Sequence, residues 1–213
     1  MDPSKVRTTF VILANEVVIS ALGGALIRLL RREAPLVELR FMLESPDDLQ
    51  MLRDGRAALA IGSYGGLTAD LHTETLATER MVSVMRAGHP LAGRRVTSAR
   101  FAALEHIVTS RRGIARGPID DALALQGRER RIAAVVPSFS AALALCMDSD
   151  LVTIAPRRLA RRLAGPSGLV EFRSPVKLPT VEVDIVWHAR VDADPIHRWL
   201  RTCIRRVAVE PTR

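Results

Sequence analysis

The sequence predicts an α/β fold with parallel strands, and three observations support this class. Segments with the character of strands alternate along the chain with segments that have the 3.6-residue period of a helix. The run Ala57–Ile61 is apolar at every position, which is typical of a parallel strand that is covered on both faces. The chain has 213 residues, of which 48% are hydrophobic and 25% are charged, so it is long enough to bury a large core.

Alternating elements at the beginning of the chain predict the start of a doubly wound sheet. The first helix has apolar residues along one side, and Gly23-Gly24 within it predicts close packing against another element. In the second helix we expect Ser45 as the N-cap and Pro46 in the first helical position, and Gly55 ends it. In order, the elements are a strand Val6–Leu13, a helix Val17–Arg32, a strand Leu36–Leu43, the helix after Ser45, and a strand Ala57–Ile61.

A second series of alternating elements follows. The chain ends on a helix that Asp194 is expected to cap, with Pro195 in the first helical position. The elements before it are predicted strands Glu79–Arg86, His106–Thr109, Arg131–Val136, Leu151–Ile154, Leu169–Phe172 and Val181–His188, and predicted helices Phe101–Leu104, Pro118–Gln126, Phe139–Met147 and Pro156–Leu163.

The chain is basic, with 31 Lys and Arg residues against 23 Asp and Glu residues and a net charge of +8. A basic balance of this size is compatible with a nucleic acid or an anionic ligand as partner. The arginines are scattered in pairs, however, and aromatic residues are not interleaved with them as a stacking surface for bases requires. We therefore interpret most of them as parts of solvated faces and expect no sequence-specific DNA binding by this chain alone.

The sequence lacks motifs for metal binding and catalysis. Cys146 and Cys203 are far apart, and the five histidines include no pair with i, i+4 spacing. No Gly-x-Ser-x-Gly motif occurs, and Gly113–Gly117 lacks the Gly-Lys-Ser/Thr ending of a phosphate loop. We predict no metal, no cofactor and no enzymatic activity, and we expect both thiols to be reduced residues of the core.

The longest apolar stretches are shorter than the ~18 residues that a membrane-spanning helix needs. The N-terminal segment Met1–Lys5 has no basic-then-apolar signal pattern. We therefore expect a cytoplasmic protein without a membrane partner.

Several segments occur in a fixed order along nearly the whole chain: Phe10–Ala14 with Glu33–Leu39, Leu52–Gly55 with Ala57–Gly62, His89-Pro90-Leu91, Ser149–Ala160, and Trp187–Arg190 with Asp194-Pro195 and Trp199–Arg201. Together these segments resemble the effector-binding domain of LysR-type transcriptional regulators. The later segments resemble in particular the branch of nodulation and aromatic-degradation regulators. One departure is Ala58, which stands where the family usually has aspartate.

The resemblance implies a fold like that of type 2 periplasmic binding proteins. Two Rossmann-like α/β lobes would be joined by two crossover strands, with the ligand between the lobes. We expect lobe I over residues 6–80 and 189–209, lobe II over 84–183, and the crossovers over 79–86 and 181–188. The family's N-terminal winged helix-turn-helix is not in this sequence, so we expect the chain to be one piece of a longer regulator.

Ligands of open α/β sheets bind beyond the carboxyl ends of the strands, where helices begin. In lobe I this rule selects Asn15 and Glu16 after the first strand, and Ser63 and Tyr64 after the third. The alternative for Asn15 is a helix cap without a ligand, and the alternative for Ser63 and Tyr64 is an ordinary surface loop.

In lobe II the same rule selects Thr109, Ser110 and Arg111, because hydroxyls and a guanidinium suit a carboxylate. A solvated arginine pair is the alternative, since Arg112 is adjacent.

Three further candidates complete the predicted effector site. Ser138 and Phe139 follow another strand of lobe II, where the hydroxyl can cap a helix and the ring can form a wall of the site. Phe139 can equally be a core residue. His188 lies at the second crossover, and its alternative is a structural histidine held by hydrogen bonds.

The function we expect is ligand sensing and oligomerisation for a transcription regulator. The effector would be a small organic acid or polar aromatic compound, and DNA would be bound only through the N-terminal domain. The alternatives are a solute-binding protein of a transport system and an enzyme on the same two-lobed fold.

The expected assembly is a homodimer or a tetramer. In the resembling family, the helices here predicted as Val17–Arg32 and Pro118–Gln126 pack across an antiparallel two-fold axis. We expect Leu26 and Ile119 to lie in that interface.

Overall fold

A computed structural model describes residues 2–164 and 168–209. The chain forms two compact units. Unit 1 consists of the residues up to Thr78 and from Glu182 onward, and unit 2 consists of Glu79–Val181. The chain therefore leaves unit 1 once and returns to it once.

Unit 1 is built on a sheet with the strand order β2-β1-β3-β9. Strand β1 pairs in parallel with β2 and β3, and β9 is antiparallel to β3. The strands are β1 Thr8–Ala14, β2 Val37–Met42, β3 Leu59–Gly62, the first half of β4 Leu71–Arg86, and most of β9 Thr180–His188. The helices are α1 Glu16–Val18, α2 Gly24–Glu33, α3 Asp48–Asp54 and α8 Pro195–Val209, with 3-10 turns at Pro3–Lys5 and Ala189–Val191.

The main core of unit 1 lies between this sheet and helices α2 and α8. Each helix contributes apolar residues at helical spacing, which places them on one face. Asp194 caps α8 as predicted, since its Oδ1 accepts hydrogen bonds from the backbone N–H groups of Ile196 (2.8 Å) and His197 (2.9 Å). The helical core residues are Leu26, Leu29 and Leu30 of α2 and Leu200, Cys203 and Ile204 of α8.

The predicted helix Val17–Arg32 differs from the structure in two respects. A π-helical segment, Ile19–Gly23, separates α1 from α2. A Cβ built on Gly23 would lie 3.6 Å from the side chain of Ile19 and 3.8 Å from that of Phe41, which is ordinary van der Waals contact. The packing of the described chain therefore does not require glycine at position 23, and the close approach of an element from another subunit stays a prediction.

Unit 2 has the strand order β8-β4-β7-β5-β6. Strand β5 is parallel to β6 and β7, whereas β4 is antiparallel to β7 and β8. The elements are the second half of β4, the strands β5 Glu105–Thr109, β6 Arg131–Val136, β7 Val152–Pro156 and β8 Leu169–Phe172, and the helices α4 Ser98–Ala103, α5 Pro118–Ala124, α6 Phe139–Met147 and α7 Arg157–Leu163. Its core includes Met85, Phe101, Ile119, Leu123 and Val152.

Several predicted boundaries are wrong; helix α4, for example, begins at Ser98 rather than at Phe101, and β3 begins at Leu59 rather than at Ala57. Strand β4 begins at Leu71 rather than at Glu79, because the polar, threonine-rich residues before Glu79 continue the strand. Helix α3 begins at Asp48 rather than directly after Ser45. Ser45 does not cap it; the backbone N–H and the hydroxyl of Ser45 instead donate hydrogen bonds to Asp48 Oδ1 (2.8 and 3.0 Å).

Both units place their first parallel strand in the middle of three. Strand β1 lies between β2 and β3, and β5 lies between β6 and β7. In each unit the chain goes from the central strand to a neighbour on one side, β2 or β6, and then to the neighbour on the other side, β3 or β7. The carboxyl ends of β1 and β5 are therefore the topological switch points at which open α/β sheets bind ligands.

Candidate functional site

The switch point of unit 1 begins with Asn15, which follows β1 and caps α1. Its Oδ1 accepts a hydrogen bond from the backbone N–H of Val18 (3.0 Å). Its Nδ2 donates a hydrogen bond to Glu44 Oε1 (3.0 Å). Asn15 thus joins the start of α1 to the loop after β2, and it holds the Glu44 carboxylate at the switch point.

Glu44 is a residue of this switch point that the sequence interpretation missed. It is half-buried and follows β2 without a motif that would single it out. Gly62, the last residue of β3, faces the same carboxylate. A Cβ built on Gly62 would overlap Glu44 Oε1 and would lie 3.2 Å from the ring of Tyr64. A side chain at position 62 would therefore have to displace the carboxylate end of Glu44, which lies directly against the backbone of the glycine.

The hydroxyl of Tyr64 has a structural partner. It donates a hydrogen bond of 2.8 Å to Oδ2 of Asp48, a carboxylate only 2% exposed, whose other oxygen is held by Ser45. The half-buried ring is therefore fixed in place, whereas Ser63 beside it is exposed. Glu16, in the first turn of α1, is half-buried. The structure thus places Asn15, Glu16, Ser63 and Tyr64 at the carboxyl edge of the sheet of unit 1.

The switch point of unit 2 brings together Thr109, Ser110 and Ser138. Thr109 ends β5 and is paired with Val136 of β6, and the backbone N–H of Ser110 donates to the carbonyl of Val136 (2.8 Å). The Ser110 hydroxyl accepts a hydrogen bond from the backbone N–H of Ile114 (2.9 Å). The Thr109 hydroxyl is buried and has no hydrogen-bond partner among the described residues. It is therefore a buried polar group at the switch point whose hydrogen-bonding capacity no described residue uses.

Ser138 caps α6 through a hydrogen bond that its hydroxyl accepts from the backbone N–H of Ala141 (3.1 Å). Phe139, the first residue of α6, is half-buried rather than fully enclosed. Arg111 and Arg112 both lie exposed in the turn after β5. The five candidates in unit 2 therefore all lie at or next to the carboxyl ends of β5 and β6.

The structure does not bring His188 together with the other candidates of unit 1. Strand β9 runs antiparallel to β3, and Gly62 at the carboxyl end of β3 is paired with Asp184. His188 lies four residues further along β9, about 13 Å towards the amino end of β3. There its Nδ1 accepts a hydrogen bond from the backbone N–H of Arg190 (3.1 Å), and its Nε2 is 3.7 Å from Asp70 Oδ2.

Asp70 remains ionised beside His188. Hydrogen bonds from Thr68 and from Arg53 lower the pKa of its carboxyl group to about 2. The histidine therefore belongs to a polar cluster at the amino edge of the sheet, and its side chain has the structural partners that the alternative interpretation requires.

The described residues contain no group of three or more His, Cys, Asp or Glu side chains placed to hold a metal ion. Burial raises the pKa of the thiols of Cys146 and Cys203 to about 11, so both are protonated near neutral pH. In the described part of the chain, no helix combines the length and the apolar character needed to cross a membrane.

Two α/β units that are connected by two strands, each with polar groups at its switch point, define a two-lobed domain for small-molecule binding. A family model described as "LysR substrate binding domain" matches residues 4–209. The chain therefore belongs to the LysR substrate-binding domain family, and the predicted fold class is confirmed.

Similar proteins include the HTH-type transcriptional regulator LinR of Sphingobium indicum, which is 36% identical over 97% of this chain and 69% of its own length. A probable transcriptional regulator, PA0477 from Pseudomonas aeruginosa, has a similar structure (TM-score 0.83, 28% identity, 96% of this chain and 68% of that chain). The regulatory domain of MexT, a transcriptional activator in the same organism, shares the fold (TM-score 0.79, 24% identity, 95% and 98% coverage). The chain thus spans about two thirds of LinR and of the PA0477 chain, and nearly all of the MexT regulatory domain.

Proposed function

We propose that this chain is the effector-sensing and oligomerisation part of a cytoplasmic bacterial transcription regulator. A small molecule bound here would change the affinity with which an N-terminal helix-turn-helix domain of the longer protein binds DNA. The observation that carries the proposal is the match of the LysR substrate-binding domain to residues 4–209. The named relatives are transcription regulators, which favours this function over solute transport or catalysis.

The proposed effector contacts lie at the carboxyl ends of parallel strands in each unit. In unit 2 the unpartnered hydroxyl of Thr109 is the most specific of them, because a buried hydroxyl gains most from a new hydrogen bond. Arg111 supplies a guanidinium near the same strand end. The remaining proposed contacts are Ser110, Ser138 and Phe139 of unit 2 and Asn15, Glu16, Ser63 and Tyr64 of unit 1. We leave His188 out because of its place on β9.

The effector that suits these groups is a small organic acid or a polar aromatic compound. Hydroxyls and a guanidinium bind a carboxylate with charge-assisted hydrogen bonds. The half-buried rings of Tyr64 and Phe139 offer apolar area to the body of such a ligand. The residue types at both switch points thus favour this chemical class of effector.

The experiment is a thermal-shift screen of organic acids, each paired with its neutral amide, followed by calorimetry on the compounds that stabilise the chain. Arg111→Gln should weaken binding of the acid by about 1.5–3 kcal/mol if the contact is charge-assisted, whereas Arg112→Gln serves as the matched control. Thr109→Val should lower affinity without lowering the melting temperature, because its hydroxyl has no partner to lose. The exposed Thr180→Val is the control for that substitution.

The outcomes separate the function from the residues. A panel in which no acid or polar aromatic compound stabilises the chain would contradict the effector class. Tight binding that is unchanged in both Arg111→Gln and Thr109→Val would leave effector sensing in place and would show that the contacts of unit 2 are assigned incorrectly.

A further inference from the structure

A carboxylate of the protein lies at the place in unit 1 where an anionic ligand would otherwise be expected. Anions commonly bind at the start of a helix that follows a strand, because the backbone N–H groups and the helix dipole attract negative charge. In unit 1 the helical segment after β1 runs from Glu16 to Glu33 and is capped by Asn15. The side chain of Asn15 donates a hydrogen bond of 3.0 Å to Oε1 of Glu44, so the chain supplies its own anion beside this helix start.

The carboxylate of Glu44 lies where the carboxyl ends of three neighbouring strands meet. Asn15 follows β1, Glu44 comes two residues after the end of β2, and Gly62 ends β3. The three strands are adjacent and parallel, with β1 in the middle. The carboxyl carbon of Glu44 would be only 3.3 Å from a Cβ built on Gly62. The side chain is therefore directed over the end of β3 rather than away from the sheet.

Neighbouring contacts fix the position of this carboxylate in advance. Ser45, the next residue in the chain, donates hydrogen bonds from its backbone N–H (2.8 Å) and its hydroxyl (3.0 Å) to the buried Asp48. Asp48 also accepts a hydrogen bond of 2.8 Å from the hydroxyl of Tyr64. A carboxylate can accept about four hydrogen bonds, so the bond from Asn15 does not saturate Glu44. A fixed acceptor with a negative charge favours a ligand group that donates a hydrogen bond to it.

We propose that Glu44 determines the specificity of the effector site: it accepts a hydrogen bond from a hydroxyl or amino group of the effector, and it excludes a second carboxylate. This inference rests on the proposed function, because it concerns which acids the same site accepts. The effector would then have a single carboxylate, bound by the proposed contacts of unit 2, and a separate hydrogen-bond donor for unit 1. A second carboxylate would be repelled by Glu44, and Glu16 in the first turn of α1 adds another negative charge at this edge.

The test uses benzoates that share one carboxylate and differ only in a second group, which is methyl, hydroxymethyl or carboxylate at the meta or the para position. Calorimetry on the full chain should give, in at least one of the two series, a dissociation constant about tenfold lower for the hydroxymethyl than for the methyl compound. This ratio is the one expected for a single hydrogen bond to a charged acceptor. The dicarboxylate should bind roughly tenfold more weakly than the methyl compound, because Glu44 would repel it.

Two variants then test the assignment to this residue. Glu44→Gln keeps the size of the side chain and an acceptor oxygen for Asn15 but removes the charge, and it should reduce both ratios to about threefold or less. Asn15→Ser retains a capping hydroxyl but loses the donor to Glu44, and it should also reduce the preference for the hydroxymethyl compound. Asp47→Asn is the matched control, because it removes an exposed charge from the same loop and should leave both ratios unchanged.

The outcomes separate this inference from the proposed function. Benzoates that bind with one affinity, whether the second group is methyl, hydroxymethyl or carboxylate, would overturn the role of Glu44 and would leave effector sensing in place. A preference for the hydroxymethyl compound that persists in full in Glu44→Gln would have the same meaning. If none of the compounds binds, both the role of Glu44 and the proposed class of effector are contradicted.

Discussion

His106 should make the stability of unit 2 depend on pH below neutrality. Its ring is fully buried in β5, with Nε2 2.8 Å from the carbonyl oxygen of Phe101. Nε2 must donate this hydrogen bond, so Nδ1 is the unprotonated nitrogen of the neutral ring, and Nδ1 has no partner among the described residues. Burial lowers the pKa of His106 from 6.5 to about 4, because a second proton would place a charge in the core.

The magnitude follows from the two pKa values. The unfolded chain binds the proton near pH 6.5 and the folded chain only near pH 4, so the unfolding free energy falls as the pH drops between these values. One pKa unit is worth about 1.4 kcal/mol, and the complete effect is therefore about 3 kcal/mol. Most of it should be lost by pH 4.5. Above pH 7 the contribution of His106 no longer changes.

The assay is urea denaturation at pH 7.0 and pH 4.5 of the parent chain and of His106→Gln. The glutamine amide can donate to the carbonyl of Phe101 but does not titrate. The loss of unfolding free energy between the two pH values should be about 2–3 kcal/mol smaller in His106→Gln than in the parent. The exposed His72→Gln is the control. An equal loss in the parent and in His106→Gln would refute the reasoning.

Three further predictions use other contacts. Asp120→Ala leaves the buried guanidinium of Arg130 without its two 2.9 Å hydrogen bonds and should destabilise unit 2 by about 3–5 kcal/mol in urea denaturation, whereas the exposed neighbour Asp121→Ala should change little. Tyr64→Phe removes a hydrogen bond to a buried carboxylate of α3 and should lower the unfolding free energy by about 1.5–3 kcal/mol; an unchanged denaturation midpoint would contradict this. Sedimentation should show a dimer that Ile27→Asp dissociates, because Ile27 is the 45% exposed apolar residue of α2, and a persistent dimer would place the interface elsewhere.

The choice of Ile27 corrects the interface residues that the sequence suggested. Leu26 is 1% exposed and Ile119 is 9% exposed, and both belong to cores of their own units. An aspartate at either position would unfold the chain rather than separate subunits. The helical period shows that α2 has a broad band of apolar residues. It does not show which of these residues face the core of the unit and which remain exposed to a partner.

Elements with strong local signals could be predicted to the residue. Helix α6 spans Phe139–Met147 as expected, because Ser138 caps it immediately after a proline. Strand β8, Leu169–Phe172, and the capped start of α8 were predicted equally well. For the two helices, the start is set by a capping side chain directly before the first helical residue.

The features that sequence could not predict depend on contacts between distant segments. The direction of β9 decides the position of His188, and an alternating pattern is the same when it is read in either direction. Glu44 becomes part of the switch point through Asn15, 29 residues away, and through the bare backbone of Gly62. A single sequence carries no signal for such a pairing of residues.

The return of the chain to unit 1 has a consequence for synthesis on the ribosome. Unit 2 is one continuous segment, whereas unit 1 receives β9 and α8 only after unit 2 has been made. Until then the sheet of unit 1 lacks Ile185 and Trp187, and helix α2 lacks Leu200 and Ile204 against its apolar face. Unit 2 can therefore complete its core during translation. The first segment of unit 1, which runs to Thr78, keeps apolar side chains uncovered until β9 and α8 have been synthesised. The core of unit 1 therefore stays incomplete until α8 has been synthesised, and in that interval its uncovered apolar surface favours aggregation.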